Sequence, residues 1–367
     1  MQGKKLCYVL CSDLPLPFEG IGSWTDEMNY FLKNTQIFDF ILSPNPNSSG
    51  KYITCNKNQV SLVHRFLSFE RRKSYIYRAY TKSLLEIGKY DKPLKILVID
   101  DQGILKAIAS IKDKLPAGSQ IIYYFHGHLL NIPPSLMYKI DEVFFLTKRG
   151  YLESLSNSLQ FTPEVKVLGN GVSSEIFNML SQKEKSSQRK KMGFEEDDII
   201  ITWMANSRPV KGIHLFLKML PLLLSQDKRI KILIIGTSNL PIKTPERVIV
   251  LGVLQPEELA KYLQISDFYF FTSLWKEGFG LSLVEAIKCG NFILCPKNGG
   301  IEEVTSDYSR KSFVEYPNIL ESWTSLFQDL LRTNRWKEIE PELALNMNKF
   351  YSLDSWVDRM EKALLEA

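Results

Sequence analysis

The chain lacks long apolar runs and the residue spacings that build metal sites or disulfide frameworks. The sequence contains no stretch of about 18 apolar residues, so no membrane-spanning helix is expected. Five cysteines without a Cys-x-x-Cys spacing, mostly beside apolar segments, indicate buried thiols in a reducing compartment. Four scattered histidines lack the spacing of a zinc site. These absences predict a cytoplasmic protein without disulfides or a structural metal.

The chain does have the composition and pattern of a two-domain α/β protein. Its 367 residues exceed the roughly 250 that a single core usually supports. Helical patterns alternate with apolar runs, which predict strands near residues 6–11, 38–42, 96–99, 121–125, 143–146 and 165–168, and again near 199–204, 230–235, 248–251, 268–271 and 292–294. This alternation predicts two doubly wound parallel sheets, with the polar stretch 181–198 between them. The 185–192 portion of that stretch could form a short helix.

The most informative segment is a glycine-rich turn between a predicted strand and a predicted helix. The helix is expected from about residue 281 to 290, with Glu277 in the loop and Glu285 one turn into the helix, on the side away from the core. Gly278 and Gly280 allow a ligand to approach the backbone closely, and the amides at a helix start suit phosphate oxygens. Carboxylates accept hydrogen bonds from hydroxyls, so the pattern favours a phosphorylated sugar compound. The alternative is helix-dipole electrostatics with one solvated glutamate.

This segment resembles the Glu-x7-Glu signature of retaining glycosyltransferases of family 4. The other matching segments follow in that family's chain order: Gly20-Ile21-Gly22, His126, Asn170-Gly171-Val172, 206–212 (Asn-Ser-Arg-Pro-Val-Lys-Gly) and 289–304. The resemblance covers most of the chain and is weakest between about 36 and 95. It implies the GT-B architecture, with two Rossmann-like domains that face a cleft. The implied domains are an acceptor-side domain (1–178), a nucleotide-sugar domain (179–350) and a C-terminal helix that crosses back to the first domain (351–367).

The resemblance also implies the roles of individual residues. It implies a catalytic set of His126, Glu277, Arg208 and Lys211, and a donor site formed by Gly22, Arg208, Lys211, Gly278, Phe279, Gly280, Leu281 and Glu285. Glu285 would bind ribose hydroxyls, Glu277 would bind the transferred sugar, and the two cations would stabilise the diphosphate. Positive side chains and helix amides would then replace a metal, so no cofactor or metal is expected. His128 is the rival of His126, and either histidine is open to being only a polar group at a strand end.

The expected function is transfer of a sugar from a nucleoside diphosphate sugar to an acceptor hydroxyl, with retention of configuration. The acceptor would be a glycan or a lipid-linked glycan in cell-surface polysaccharide or glycolipid synthesis. A GT-B sugar-nucleotide epimerase and a non-catalytic nucleotide-sugar binding subunit are the alternatives.

A basic segment, 65–89, is a candidate for peripheral contact with anionic lipid at the inner face of the plasma membrane. It carries seven basic residues against two acidic ones, an excess equal to the net charge of +5 of the whole chain. The alternative is a solvated basic helix that covers its own domain. No nucleic-acid module is visible, so no nucleic-acid partner is expected.

Overall fold

A computed structural model describes residues 6–17, 23–45, 50–59, 75–238, 240–340 and 342–366, and it divides the chain into two compact units. The first unit comprises Met1–Gly169 with Arg359–Ala367, and the second comprises Asn170–Asp358. The sequence placed the division at residues 178 and 179, whereas these units divide at residues 169 and 170.

The first unit is built on a seven-stranded parallel sheet. Its strands are β1 Cys7–Ser12, β2 Phe40–Ser43, β3 Tyr52–Thr54, β4 Leu94–Ile99, β5 Gln120–Tyr124, β6 Glu142–Phe145 and β7 Glu164–Val167, in the order β3-β2-β1-β4-β5-β6-β7. The helices described in this unit are α1 Ser23–Asn34, α2 Arg78–Gly88, α3 Gln102–Ala109, α4 Pro134–Met137 and α5 Lys148–Ser156.

The second unit is built on a six-stranded parallel sheet. Its strands are β8 Ile199–Met204, β9 Ile230–Ile235, β10 Val248–Gly252, β11 Phe268–Phe270, β12 Phe292–Pro296 and β13 Lys311–Val314, in the order β10-β9-β8-β11-β12-β13. Its helices are α6 Gln182–Lys191, α7 Ile213–Gln226, α8 Pro256–Ile265, α9 Leu281–Lys288, α10 Ile301–Val304, α11 Leu320–Thr333 and α12 Leu343–Lys349.

Burial explains why the central strands were visible in the sequence. β4 and β8 are buried at every position, so their residues form continuous apolar runs rather than alternating ones. Each sheet has its own hydrophobic core, and all five cysteines are buried free thiols. The two parallel sheets confirm the predicted α/β class with doubly wound sheets.

The last helix, α13 Leu353–Leu365, has the apolar stripe that the sequence predicted. Trp356, Met360 and Leu364 are all buried. Within the first unit, Lys95 Nζ donates to the carbonyl of Glu366 at 3.0 Å and Lys166 Nζ donates to that of Ala363 at 2.8 Å. Cations at the carboxyl end of a helix satisfy its last carbonyls and its negative dipole end.

Two edge strands, β3 and β13, were not predicted. Both are only three or four residues long and mostly half-buried, so neither forms a continuous apolar run.

The polar segment 181–198 contains a helix, α6, which begins three residues before the short helix considered from the sequence at 185–192. Ser181 and Glu184 form a reciprocal capping box at the start of α6. The side chains of Lys185 and Arg189 then anchor the helix to the buried Asp267, at 2.9 and 2.8 Å. Composition does not reveal that this helix docks on the sheet through charged side chains.

Within the described ranges, no helix combines the length and apolar character that crossing a bilayer requires.

Candidate functional site

The second sheet has a topological switch point between β8 and β11. From β8 the chain builds outward through β9 and β10, and it then crosses to the other side of β8 to form β11. Loops that follow strands on the two sides of such a point diverge and leave a crevice at the carboxyl ends of the strands. Arg208 and Lys211 lie in the loop after β8, and Glu277 lies in the loop after β11. The fold therefore brings these predicted residues to one edge of the sheet.

Hydrogen bonds hold the loop after β8 against the loop after β11. The amide of Leu274 donates to the carbonyl of Val210 at 2.8 Å, and Thr272 Oγ1 donates to the carbonyl of Lys211 at 2.9 Å. Gly212 has φ +76°, and a Cβ there would overlap the carbonyl oxygen of Thr272. Only glycine fits this close approach, which explains why a glycine follows Lys211.

Glu277 is held at both its side chain and its backbone. Its Oε1 accepts from Lys211 Nζ at 2.5 Å and from Ser273 Oγ at 2.5 Å. The side chains of Lys211 and Glu277 are 20% and 13% exposed, so the pair is largely withdrawn from water. The carbonyl of Glu277 accepts from the amide of Gly300 at 2.8 Å, which ties the loop after β11 to the loop after β12. These bonds position a carboxylate before any ligand binds.

Arg208 is not part of this pair. Its side chain is exposed, and its Nε donates to Asn206 Oδ1 at 3.2 Å. The structure therefore brings Lys211 and Glu277 together but leaves Arg208 at the surface of the same loop.

The glycine-rich turn starts α9 at Leu281, as predicted. Gly280 is the N-cap, with φ +86°, and no side chain caps the helix. The carbonyl of Gly280 accepts from the amides of Leu283 and Val284 at 2.9 and 3.2 Å. An N-terminus without a side-chain cap keeps backbone donors for an anion. Phe279 is buried, and its ring meets that of Tyr351 edge-on at 4.9 Å, so its side chain anchors the turn from the protein interior.

Glu285 is more buried than the sequence indicated. It is 5% exposed on α9, although its position was predicted to lie away from the core. Every residue of α9 from Leu283 to Lys288 is buried, so the helix has no solvent-facing side at Glu285. The Tyr269 hydroxyl lies 3.1 Å from both Ser282 Oγ and the carbonyl of Met204.

Tyr269 is the residue of this site that sequence reasoning missed. Burial raises its pKa, and the negative charges of Glu285 and Glu277 raise it further, so both carboxylates act on one phenol. The sequence does contain a signal for Tyr269, which is the alternation of side chains along β11. Phe268 and Phe270 belong to the core cluster, so Tyr269 lies on the opposite face of the sheet.

His126 and its surroundings belong to the first unit. Its ring meets those of Tyr124 and Trp24 edge-on at 4.3 and 5.3 Å, and burial lowers the pKa of His126 to about 4. Its backbone amide donates to Asp100 Oδ1 at 3.0 Å. With that lowered pKa, His126 is a neutral imidazole at neutral pH.

The rival His128 is almost fully buried, with Nε2 3.1 Å from Glu153 Oε1.

Two predicted features lie partly or wholly outside the described residues. Gly22 falls in the gap between 17 and 23, and residues 65–74 of the basic segment fall in the gap between 59 and 75.

Across the part of the chain that is described, no group of three or more His, Cys, Asp or Glu side chains is placed to hold a metal ion. Metal independence stays a prediction.

Comparison with known proteins gives a family match within the second unit. Residues 184–343 match the family model described as glycosyl transferases group 1. The chain is also 22% identical over 215 residues to a GDP-mannose-dependent monoacylated alpha-(1-6)-phosphatidylinositol monomannoside mannosyltransferase of Corynebacterium glutamicum, a match that covers 53% of this chain and 56% of that protein. The chain spans about half the length of the curated relatives it matches, with 39%, 56% and 62% covered in three of them.

Solved structures match over nearly the whole chain. A sucrose-phosphate synthase from Thermosynechococcus elongatus superposes with a TM-score of 0.73 at 14% identity, covering 97% of this chain and 98% of that one. An Anabaena protein in complex with UDP and glucose superposes with a TM-score of 0.71, also at 14% identity, covering 98% and 99%. These similarities, with the two parallel-sheet units, show that the chain has the GT-B fold.

Proposed function

We propose that this chain is a glycosyltransferase that moves a sugar from a nucleoside diphosphate sugar to an acceptor hydroxyl, with retention of configuration and without a metal ion. The observation that carries the proposal is the joined set of loops after β8, β11 and β12. It places a cation, a carboxylate and an uncapped helix start at the switch point of a parallel sheet. The family match over residues 184–343 supports the same reaction class.

The proposed roles follow from the chemistry of the residues. The diphosphate binds at the amino end of α9, where backbone amides and the helix dipole favour negative charge. Glu285 accepts hydrogen bonds from the ribose hydroxyls and Glu277 from hydroxyls of the transferred sugar. Lys211 stabilises the charge that grows on the leaving diphosphate, and Arg208 reaches the phosphates from the exposed side of its loop. Such contacts accelerate the reaction because they strengthen in the transition state.

The pair between Lys211 and Glu277 adds one step to this mechanism. Because Lys211 Nζ lies 2.5 Å from Glu277 Oε1, its charge is partly offset before a ligand binds. We infer that the diphosphate takes over Lys211 while the sugar hydroxyl takes its place on Glu277. Ser273 holds the same carboxylate oxygen at 2.5 Å and keeps its position during the exchange.

Nucleotide-sugar turnover tests the proposal directly. The donor panel includes UDP and GDP sugars, because the Anabaena protein was solved with UDP and the mannosyltransferase is named for GDP-mannose. Release of nucleoside diphosphate is measured with and without glycan and lipid-linked acceptors, in the presence and absence of a chelator. Acceptor-dependent release supports the transferase. Donor isomerisation would identify an epimerase, and binding without turnover would identify a non-catalytic subunit.

Two variants test the site itself. Lys211→Ala should lower turnover, and Glu285→Gln should weaken nucleotide-sugar binding by about 1.5–3 kcal/mol through the loss of charge-assisted hydrogen bonds. Lys190→Ala, at an exposed position on α6, is the matched control and should behave like the wild type. Wild-type kinetics in both site variants would show that the donor binds elsewhere.

Peripheral contact with an anionic membrane through residues 65–89 is part of the same proposal. Of its basic residues, Arg78, Lys82 and Lys89 lie on or directly after α2. Sedimentation with liposomes of neutral and of anionic composition tests the contact. Equal recovery of the protein in both supernatants would remove it.

A further inference from the structure

The second unit holds a cavity of about 470 Å³ at the amino ends of its strands, opposite to the loops described above. Residues that lead into β8 and β11 line it, among them Asp198 and Asp267, together with Lys185 and Arg189 of α6. A second cavity of about 210 Å³ shares Arg310 and Ile339 with the first. The volume of the first cavity alone lies within the range of small-molecule binding sites.

The two cations of α6 that line the cavity, Lys185 and Arg189, already have hydrogen-bond partners inside the protein. Lys185 and Arg189 both pair with Asp267, and Arg189 also donates to the carbonyls of Ile265, Glu196 and Asp198. Together these bonds use all the donor groups of the Arg189 guanidinium. These side chains form the wall of the cavity and have little binding capacity left.

Arg310 is different, because its charge is buried without a carboxylate partner. The residue is 7% exposed, and its guanidinium donates to the carbonyl of Glu338. Its Cζ lies 5.9 Å from the centre of the Phe292 ring, while its Nε has no hydrogen-bond partner. Among the residues that the structure describes, no carboxylate lies within 4.0 Å of this guanidinium. A buried charge of this kind is unfavourable unless a counter-ion joins it.

Two neighbouring side chains add to the binding capacity of the cavity. Trp336 Nε1 is a buried donor without a partner, and the Trp336 ring packs 5.1 Å from that of Phe268. Lys337 is exposed at the rim, with Nζ 5.2 Å from the centre of the Trp336 ring. Arg310 and Lys337 are thus two cavity cations without a carboxylate partner in the described part of the chain.

We propose that this cavity binds a small organic phosphate, with Arg310 as its principal ligand. A phosphate monoester carries nearly two negative charges at neutral pH, which match the two available cations better than a single carboxylate does. The planar guanidinium also suits two phosphate oxygens at once. The site is distinct from the proposed donor site, because it lies beside Asp267 at the start of β11, whereas Glu277 lies beyond the end of that strand.

Calorimetric titration of the full chain with glycerol 3-phosphate tests the proposal. Glycerol and acetate, at matched ionic strength, control for the uncharged part of the probe and for a carboxylate. The wild type should bind glycerol 3-phosphate more tightly than acetate, and saturating UDP or GDP should leave its affinity unchanged. Arg310→Gln should weaken binding by at least about tenfold, as expected for a charge-assisted contact. Arg332→Gln, which removes an exposed arginine elsewhere, should bind like the wild type.

The outcomes separate this site from the donor site. Equal affinity in the wild type and Arg310→Gln, or no binding by the wild type, would overturn the proposal. Competition by UDP or GDP would show that the phosphate enters the donor site and would overturn it too. Should Arg310→Gln fail to fold, Lys337→Gln at the exposed rim should still weaken binding, by about threefold, and unchanged affinity would count against the proposal. The titration stays interpretable even if the chain transfers no sugar.

Discussion

Gly299→Ala should cost more stability than an ordinary substitution of a left-handed glycine, because its Cβ would collide with the loop that carries Glu277. Gly299 has φ +66°, and a Cβ there would lie 2.7 Å from the backbone nitrogen of Glu277 and would overlap its carbonyl oxygen. That oxygen accepts the 2.8 Å hydrogen bond from the amide of Gly300. The substitution therefore combines backbone strain, overlap and a weakened hydrogen bond.

Gly193→Ala is the matched control. Gly193 has φ +81°, but a Cβ there would meet nothing within 4 Å. Both variants place alanine in the left-handed region, at a cost of about 1–2 kcal/mol each. Gly299→Ala additionally forces a backbone shift, worth about 1–3 kcal/mol, and weakens a hydrogen bond worth about 0.5–1.5 kcal/mol. The expected difference between the two variants is about 2–4 kcal/mol.

Urea unfolding followed by tryptophan fluorescence measures this difference, since Trp203 and Trp323 are buried in the core of the second unit. The slope of the transition must stay the same in both variants for the free energies to be compared. Nucleotide-sugar affinity should fall in Gly299→Ala and stay unchanged in Gly193→Ala. Equal loss of stability in the two variants would refute the close approach of Gly299 to Glu277.

Two further predictions concern buried charges. Burial lowers the pKa of Lys288 from its usual 10.5 to about 8, so the unfolded chain binds the extra proton between these values and stability should rise with pH across that window. Lys288→Met should remove this rise in urea unfolding at a series of pH values, and the same rise in the variant would contradict the assignment. Burial acts to raise the pKa of Asp267, but Lys185 and Arg189 hold it below its usual value, so its contribution to stability is present at neutral pH and is lost as pH falls. Asp267→Asn should destabilise the protein by about 3–5 kcal/mol at pH 7 and should reduce the loss of stability towards acid pH. A loss below 1 kcal/mol would show that the two ion pairs of Asp267 do not stabilise the fold.

The two sheets could be predicted because their central strands are short continuous apolar runs separated by helical patterns. The start of α9 was equally accessible, since glycines next to an apolar helical pattern are a local signal. The edge strands β3 and β13 were not, because a strand of three or four half-buried residues differs little from a loop in sequence.

The residue types of the candidate site came from the sequence, but their pairings did not. Lys211 and Glu277 are 66 positions apart, and nothing in either segment shows that their side chains meet. Tyr269 reads as one aromatic residue within an apolar strand, and only the packing of α9 on β11 places its hydroxyl beside Ser282.

Short-range patterns determined the fold class, the order of the elements and the residues available for binding an anion, because periodicity and turn chemistry act over a few neighbouring positions. Tertiary structure decided which charges meet and which are left alone. Asp267 is paired with two cations of α6, whereas Arg310 is buried without a carboxylate partner in the described part of the chain. Burial and pairing depend on contacts between segments far apart in sequence, and the energy of a charge depends on both.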